Sequence, residues 1–179
     1  MAISIGPKNN MKFECDKAEV ELNILSSYTT TTDKVAAAFG RAAEKPALKI
    51  FSDLTGVAVK KFNSQWLPEH FISVLGQKCK HDGLGFDPVS GEFIGPIEHK
   101  LITHGEKFNK TEVQLSNEEL KIFNFCKEKE LCYLLVLSIQ LGYESMSCDY
   151  LGYLDLTQHP DVIIGKTITI SKARPHLIV

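Results

Sequence analysis

Residues 131–141, LCYLLVLSIQL, constrain the fold more than any other part of this 179-residue chain. Their apolar side chains are nearly continuous, whereas a half-buried strand alternates and an amphipathic helix repeats every 3.6 residues. Continuous apolarity over a strand's length marks an interior strand covered on both faces, so the chain must place a layer on each side of a sheet. Cys132, Tyr133, Ser138 and Gln140 interrupt the run, and it falls short of the roughly 20 residues a membrane-crossing helix needs. No segment is expected to span a bilayer.

The covering layers are legible elsewhere. Asp33 reads as the N-cap of a helix whose apolar positions Val35, Ala38, Phe39 and Ala42 recur at helical spacing. Pro46 is expected to kink or restart it, and Ala47, Ile50, Phe51 and Leu54 form a second stripe that Gly56 closes. A short amphipathic piece surrounds Val20, Leu22, Ile24 and Leu25, and the alternation of Val57, Val59 and Phe62 predicts a short strand. Pro68 predicts a helix through Phe71, Ile72 and Leu75 to Gly76. Residues 78–100, KCKHDGLGFDPVSGEFIGPIEHK, read as a Gly-rich acidic loop, a turn at 88–91 and a strand pair, with Pro96 inside the second strand. Ser116 with Glu119 forms a capping box and Leu115 with Leu120 a hydrophobic staple, which predicts a helix from about 117 to 129. Residues 150–156 and 167–171 add strands. Helices followed by a mixed sheet with one crossover helix predict an α/β (α+β) fold, a single domain over residues 1–179 with a central mixed β-sheet flanked by helices.

Composition narrows function little. The hydrophobic share of 44% suits one packed domain. A net charge of -2 gives no overall basic signature, so a nucleic acid has to meet a local positive face. Lys60 and Lys61, Lys166, Lys172 and Arg174 are candidate phosphate contacts, against the plainer reading of solvated charge. Five scattered cysteines without a CxxC pair predict reduced thiols. Residues 1–7 lack a basic region followed by an apolar stretch, which predicts an intracellular, cytoplasmic protein.

One constellation stands out. Along a strand, residues i and i+2 share a face, so Glu98 and Lys100 project together while His99 faces the other way. A carboxylate and an ammonium in one small volume, with an aspartate from the preceding turn, are the parts that phosphodiester cleavage needs: ligands for Mg²⁺ and a cation beside the attacking water. The plainer readings are an exposed ion pair for Glu98 and Lys100, turn chemistry for Asp82 and Asp87, and a surface carboxylate for Glu44. A zinc site from Cys79, His81, His99 and His104 matches no familiar ligand spacing. A second Glu-x-Lys, at Glu119 to Lys121, is explained by the helix cap.

The segment HDGLGFDPVSGEFIGPIEHK, an Asp followed by a Gly-turn hairpin and Glu-x-Lys on a strand, resembles the PD-(D/E)xK nuclease core of type II restriction endonucleases. Asp82 and Asp87 both precede Glu98 at a separation the family accommodates, and Asp82 fits the hairpin more fully. Glu44, in Gly40-Arg41-Ala42-Ala43-Glu44, lies where many members carry a glutamate in an upstream helix. The resemblance covers roughly residues 33–141. It implies a restriction-endonuclease-like fold, with Asp82, Glu98, Lys100, Asp87 and Glu44 as catalytic residues and Asp82, Glu98 and Asp87 as Mg²⁺ ligands. The implied activity is Mg²⁺-dependent cleavage of double-stranded DNA by a homodimer, in restriction or in repair and recombination. The competing expectation is a non-catalytic protein-binding domain, such as an inhibitor or immunity protein of bacterial or phage origin.

Overall fold

The computed structural model describes residues 2–4, 11–26, 31–61, 81–102 and 110–171. The helix expected at 68–76, and Phe62, Cys79, His104, Lys172 and Arg174, lie outside them. The chain opens with β1 (Ala2–Ser4), β2 (Lys12–Glu14), α1 (Lys17–Ser26), α2 (Thr31–Thr55) and β3 (Ala58–Lys60). A hairpin of β4 (Gly83–Phe86) and β5 (Phe93–Ile102) precedes β6 (Lys110–Gln114), α3 (Asn117–Glu128), β7 (Leu134–Gln140) and β8 (Ser147–Asp155). Two 3-10 turns, Leu156–Gln158 and Pro160–Val162, lead to β9 (Ile163–Ile164) and β10 (Thr167–Ser171).

Among the described residues the strands form two sheets. The larger runs β2-β8-β7-β5-β4-β3; the smaller runs β1-β10-β6, with β9 also on β10. In the larger sheet only β5 and β7 are parallel. A parallel pair needs a long crossover, and α3 lies on that connection. The mixed α+β fold is therefore as expected, as is the strand at Thr167–Ser171, while strands β1, β2 and β6 carry no clear sequence signal. Among the described residues, no helix is long and apolar enough to cross a membrane.

The apolar run becomes β7, buried at every position in the middle of the larger sheet. Leu135, Leu137 and Ile139 pack with Ile122, Phe123 and Cys126 of α3. Leu134 and Val136 join Leu48 and Phe51 of α2 on the opposite face. The capping box of α3 forms as expected: Ser116 Oγ accepts from Glu119 N–H, and the Glu119 carboxylate accepts from Ser116 N–H.

The Asp33 cap expected for α2 is corrected, and of the two outcomes expected at Pro46 the restart is excluded: α2 is one helix starting at Thr31, and Pro46 sits inside it without ending it. A proline in a helix interior costs about 3 kcal/mol. Ala38, Phe39, Ala42, Ala43, Ala47, Leu48 and Phe51 are buried on both sides of that proline, along a helix that touches β2, β3, β5, β7 and β8. Burying each Leu or Phe contributes roughly 1.5–3 kcal/mol, so the packed stripe outweighs the lost donor. The helix stops as expected at Gly56, whose N–H makes a last bond to the Ser52 carbonyl at 2.9 Å and whose left-handed φ of 78° then turns the chain out of the helix.

Pro96 is accommodated in β5 opposite Leu84, beside a register shift between Gly85 and Phe86. Next to it, Gly95 lies so close to the backbone approaching β7 that a Cβ there would collide with the Cys132 carbonyl. Cys132 N–H also donates to Ile94 O at 3.0 Å, which fixes that approach. Gly95→Ala is expected to destabilise by about 3 kcal/mol through this clash, read as a drop in melting temperature of roughly 10 °C for a chain of this size.

Candidate functional site

The site lies where β4 and β5 part. Their ladder runs from Phe86↔Phe93 to Gly83↔Ile97, and β5 continues beyond it through residues 98–102. Asp82, just before β4, takes the next ladder position with its side chain: His99 N–H donates to Asp82 Oδ2 at 2.7 Å. The aspartate is thereby pinned against the backbone between Glu98 and Lys100. Alternation along β5 does what the sequence predicts. His99 turns towards α2, fully buried, with Nε2 3.0 Å from the Ser138 hydroxyl. Glu98 and Lys100 turn to the opposite face, with Lys100 Nζ 3.9 Å from Glu98 Oε1.

Three carboxyl groups and one lysine converge. Glu44, from α2, lies beside Asp82, and Asp82 beside Glu98, close enough for each pair of carboxyls to share a proton. Burial drives the chemistry of these acids. It pushes Glu98 up to about 10, helped by the neighbouring charges of Asp82 and Glu119, and pushes Glu44 up to about 8, helped by Asp82. Asp82 is also raised by burial, against the pull of the His99 N–H. Crowded carboxyls in a poorly hydrated place hold protons that water would strip.

His81 completes the cluster. Its side chain is fully buried, edge-on to Tyr133 at 5.7 Å, with Nδ1 3.2 Å from Glu98 Oε2. Burial lowers its pKa to about 4, and Glu98 is protonated well above neutrality. The contact is therefore a neutral hydrogen bond and not an ion pair. On the other side Lys100 Nζ lies 3.1 Å from Glu119 Oε1, in the first turn of α3.

Asp87 is not brought to this cluster. It sits at the other end of β4, half-buried, and its Oδ1 accepts from Val89 N–H at 2.9 Å and Ser90 N–H at 2.8 Å. Those bonds to the turn hold its carboxyl below the usual range.

Glu44 and Asp82 also line a cleft of about 580 Å³ with Arg41, Lys45, Lys60 and Lys61. Lys49 lines it too but is paired with Asp53 at 3.2 Å. Glu98 and Lys100 do not face this cleft, because they lie on the α3 side of the sheet edge. The cluster thus straddles that edge, with Asp82 as its middle member. Of the basic residues singled out in the sequence, Lys60 and Lys61 reach the site; Arg41 and Lys45 gave no signal, being ordinary helix-surface residues by pattern. In the sequence His81 suggests only a zinc ligand at an unfamiliar spacing, and Glu119 only a helix cap.

The donor set suits a hard divalent cation. Among the described residues no group of three or more His, Cys, Asp or Glu forms a metal-holding array. Mg²⁺, however, keeps several waters and is held by one or two carboxylates together with substrate phosphates. Asp82 and Glu98 supply oxygen donors of that kind. Buried Glu119 Oε2 and His81 Nε2 find no hydrogen-bond partner among the described residues, which marks a polar pocket whose bonding is incomplete. Comparison with protein-family models, curated proteins and solved structures finds no match, so the residues and their geometry carry the functional reading.

Proposed function

We propose that this chain is a Mg²⁺-dependent endodeoxyribonuclease of the type II restriction kind, hydrolysing phosphodiester bonds of double-stranded DNA. The observation that carries this reading is the convergence of Glu44, Asp82, Glu98 and Lys100 from one helix and two parting strands. The element order around them also agrees with the resemblance: an upstream helix with Glu44, the hairpin with Asp82 and Glu98, then a crossover helix and a parallel strand.

Asp82 and Glu98 are the carboxylates that would hold Mg²⁺, with Glu44 next to Asp82 behind them. When bound, the cation supplies Lewis-acid polarisation of the phosphate and a more acidic water. Lys100 stabilises charge that develops on the phosphate and orients the attacking water, a role its fixed ammonium can play without reorganisation. Attack in line at phosphorus breaks the P–O3′ bond, leaving a 3′-hydroxyl and a 5′-phosphate. Arg41, Lys45 and Lys61, interspersed with Glu19, Glu44 and Asp82 in the same cleft, offer cations to the phosphate backbone despite the net charge of -2.

The test is incubation of the purified protein with supercoiled plasmid and linear duplex, in Mg²⁺ or in EDTA. Discrete fragments with ligatable 5′-phosphate ends, formed only with the metal, are expected. Intact DNA across a range of Mg²⁺ and Mn²⁺ concentrations would overturn the reading.

A further inference from the structure

The lysine of the Glu-x-Lys pair is held by a residue outside that pair. Lys100 Nζ lies 3.1 Å from Glu119 Oε1 but 3.9 Å from Glu98 Oε1. Lys100 thus makes its hydrogen bond with Glu119 and not with its strand neighbour Glu98.

Glu119 is itself unusually fixed. The same oxygen that takes the Lys100 ammonium accepts from Ser116 N–H at 2.9 Å, so the helix cap sets where that oxygen stands. The side chain is nine per cent exposed, and α3 is anchored beside it by Ile122 and Phe123 in the main core. A flexible lysine stem tied to a rigid helix start loses the freedom to swing away from the strand edge.

We propose that Glu119 is the positioning residue for Lys100, its carboxylate holding the ammonium at the strand edge beside Glu98. This rests on the nuclease reading, and it assigns the α3 start a part in the reaction beyond ending a helix. The helix cap and the lysine contact can be separated by substitution. Glu119→Gln keeps an oxygen for Ser116 N–H but removes the negative charge that faces Lys100. Ser116→Ala removes the hydroxyl half of the cap and leaves the Glu119 carboxylate facing Lys100.

The experiment measures steady-state cleavage of duplex DNA in Mg²⁺, thermal unfolding, and the side-chain ammonium ¹H–¹⁵N signal of Lys100, assigned by its loss in Lys100→Arg. For Glu119→Gln we expect kcat to fall about 10- to 100-fold through misplacement of the ammonium, with KM within about twofold. The Lys100 signal should broaden as its anchor is lost. For Ser116→Ala we expect melting to drop by about 2–4 °C, with kcat and the Lys100 signal near those of the wild type. The proposal is overturned by wild-type kcat in Glu119→Gln, or by an equal loss of kcat in Ser116→Ala, which would make the cap alone responsible. Absence of cleavage by the wild-type protein removes the nuclease reading and the positioning role with it; a sharp Lys100 signal that broadens in Glu119→Gln then leaves the ion pair as a structural contact only.

Discussion

Glu98→Ala is expected to lower Mg²⁺-dependent cleavage of duplex DNA by about 10³-fold or more, a loss of roughly 4 kcal/mol of transition-state stabilisation. Asp82→Ala should match it, because both carboxylates meet at the parting of β4 and β5 and neither can be replaced by the other. Lys100→Ala should cost about 10²–10⁴-fold, the range for a positioned group that handles charge or protons in the transition state. Asp87→Ala is the control: its carboxylate is engaged by Val89 N–H and Ser90 N–H in the hairpin turn, so activity should stay within about twofold. Thermal unfolding of each variant separates lost chemistry from lost folding. Full activity in Lys100→Ala, or equal losses at Asp82 and Asp87, would contradict the site as described.

The contrast between the two aspartates shows where sequence reading runs out. Both precede Glu98 within one hairpin, and both Asp-Gly and Asp-Pro favour turns, so spacing alone leaves the choice open. The structure distinguishes them by position on β4, since Asp82 meets the continuing end of β5 and Asp87 meets only its own turn. Features fixed by periodicity were legible: the two-faced burial of β7, the shared face of Glu98 and Lys100, and the capping box at Ser116. At Pro46 local propensity left a restart open, and what excludes it is the buried alanines and Phe51 on both sides of the proline, a tertiary packing that is not local. Glu119 was hidden for the opposite reason. Its capping role explained it completely, and a residue already explained gives no signal of a second partner 19 positions away in the chain.

Glu98→Gln should abolish cleavage and yet make the metal-free protein more stable at alkaline pH. The folded state holds protons on Glu44 and Glu98 that the unfolded chain releases above about 4.5, the ordinary value for glutamate. Unfolding therefore releases protons, and stability falls as pH rises, until Glu44 ionises near 8 and Glu98 near 10. Each pH unit over which one such proton is retained costs about 1.4 kcal/mol. Partial occupancy and sharing among the coupled acids reduce the sum, and we expect roughly 2 kcal/mol between pH 6 and pH 9, or about 5 °C in melting temperature. Glutamine keeps an amide for His81 Nδ1 without a proton to lose, so its melting curve should flatten over that window. Mg²⁺ should act in the same direction on the wild type, raising melting more at pH 9 than at pH 6, because it competes with the protons on Asp82 and Glu98. In Glu98→Gln that pH-dependent gain should shrink. A wild-type melting temperature that rises with pH in EDTA, or a Mg²⁺ effect unchanged by the substitution, would show that these carboxyls are not the linked groups. The stability that the native glutamate gives up is the consequence of crowding three carboxyl groups into one poorly hydrated place.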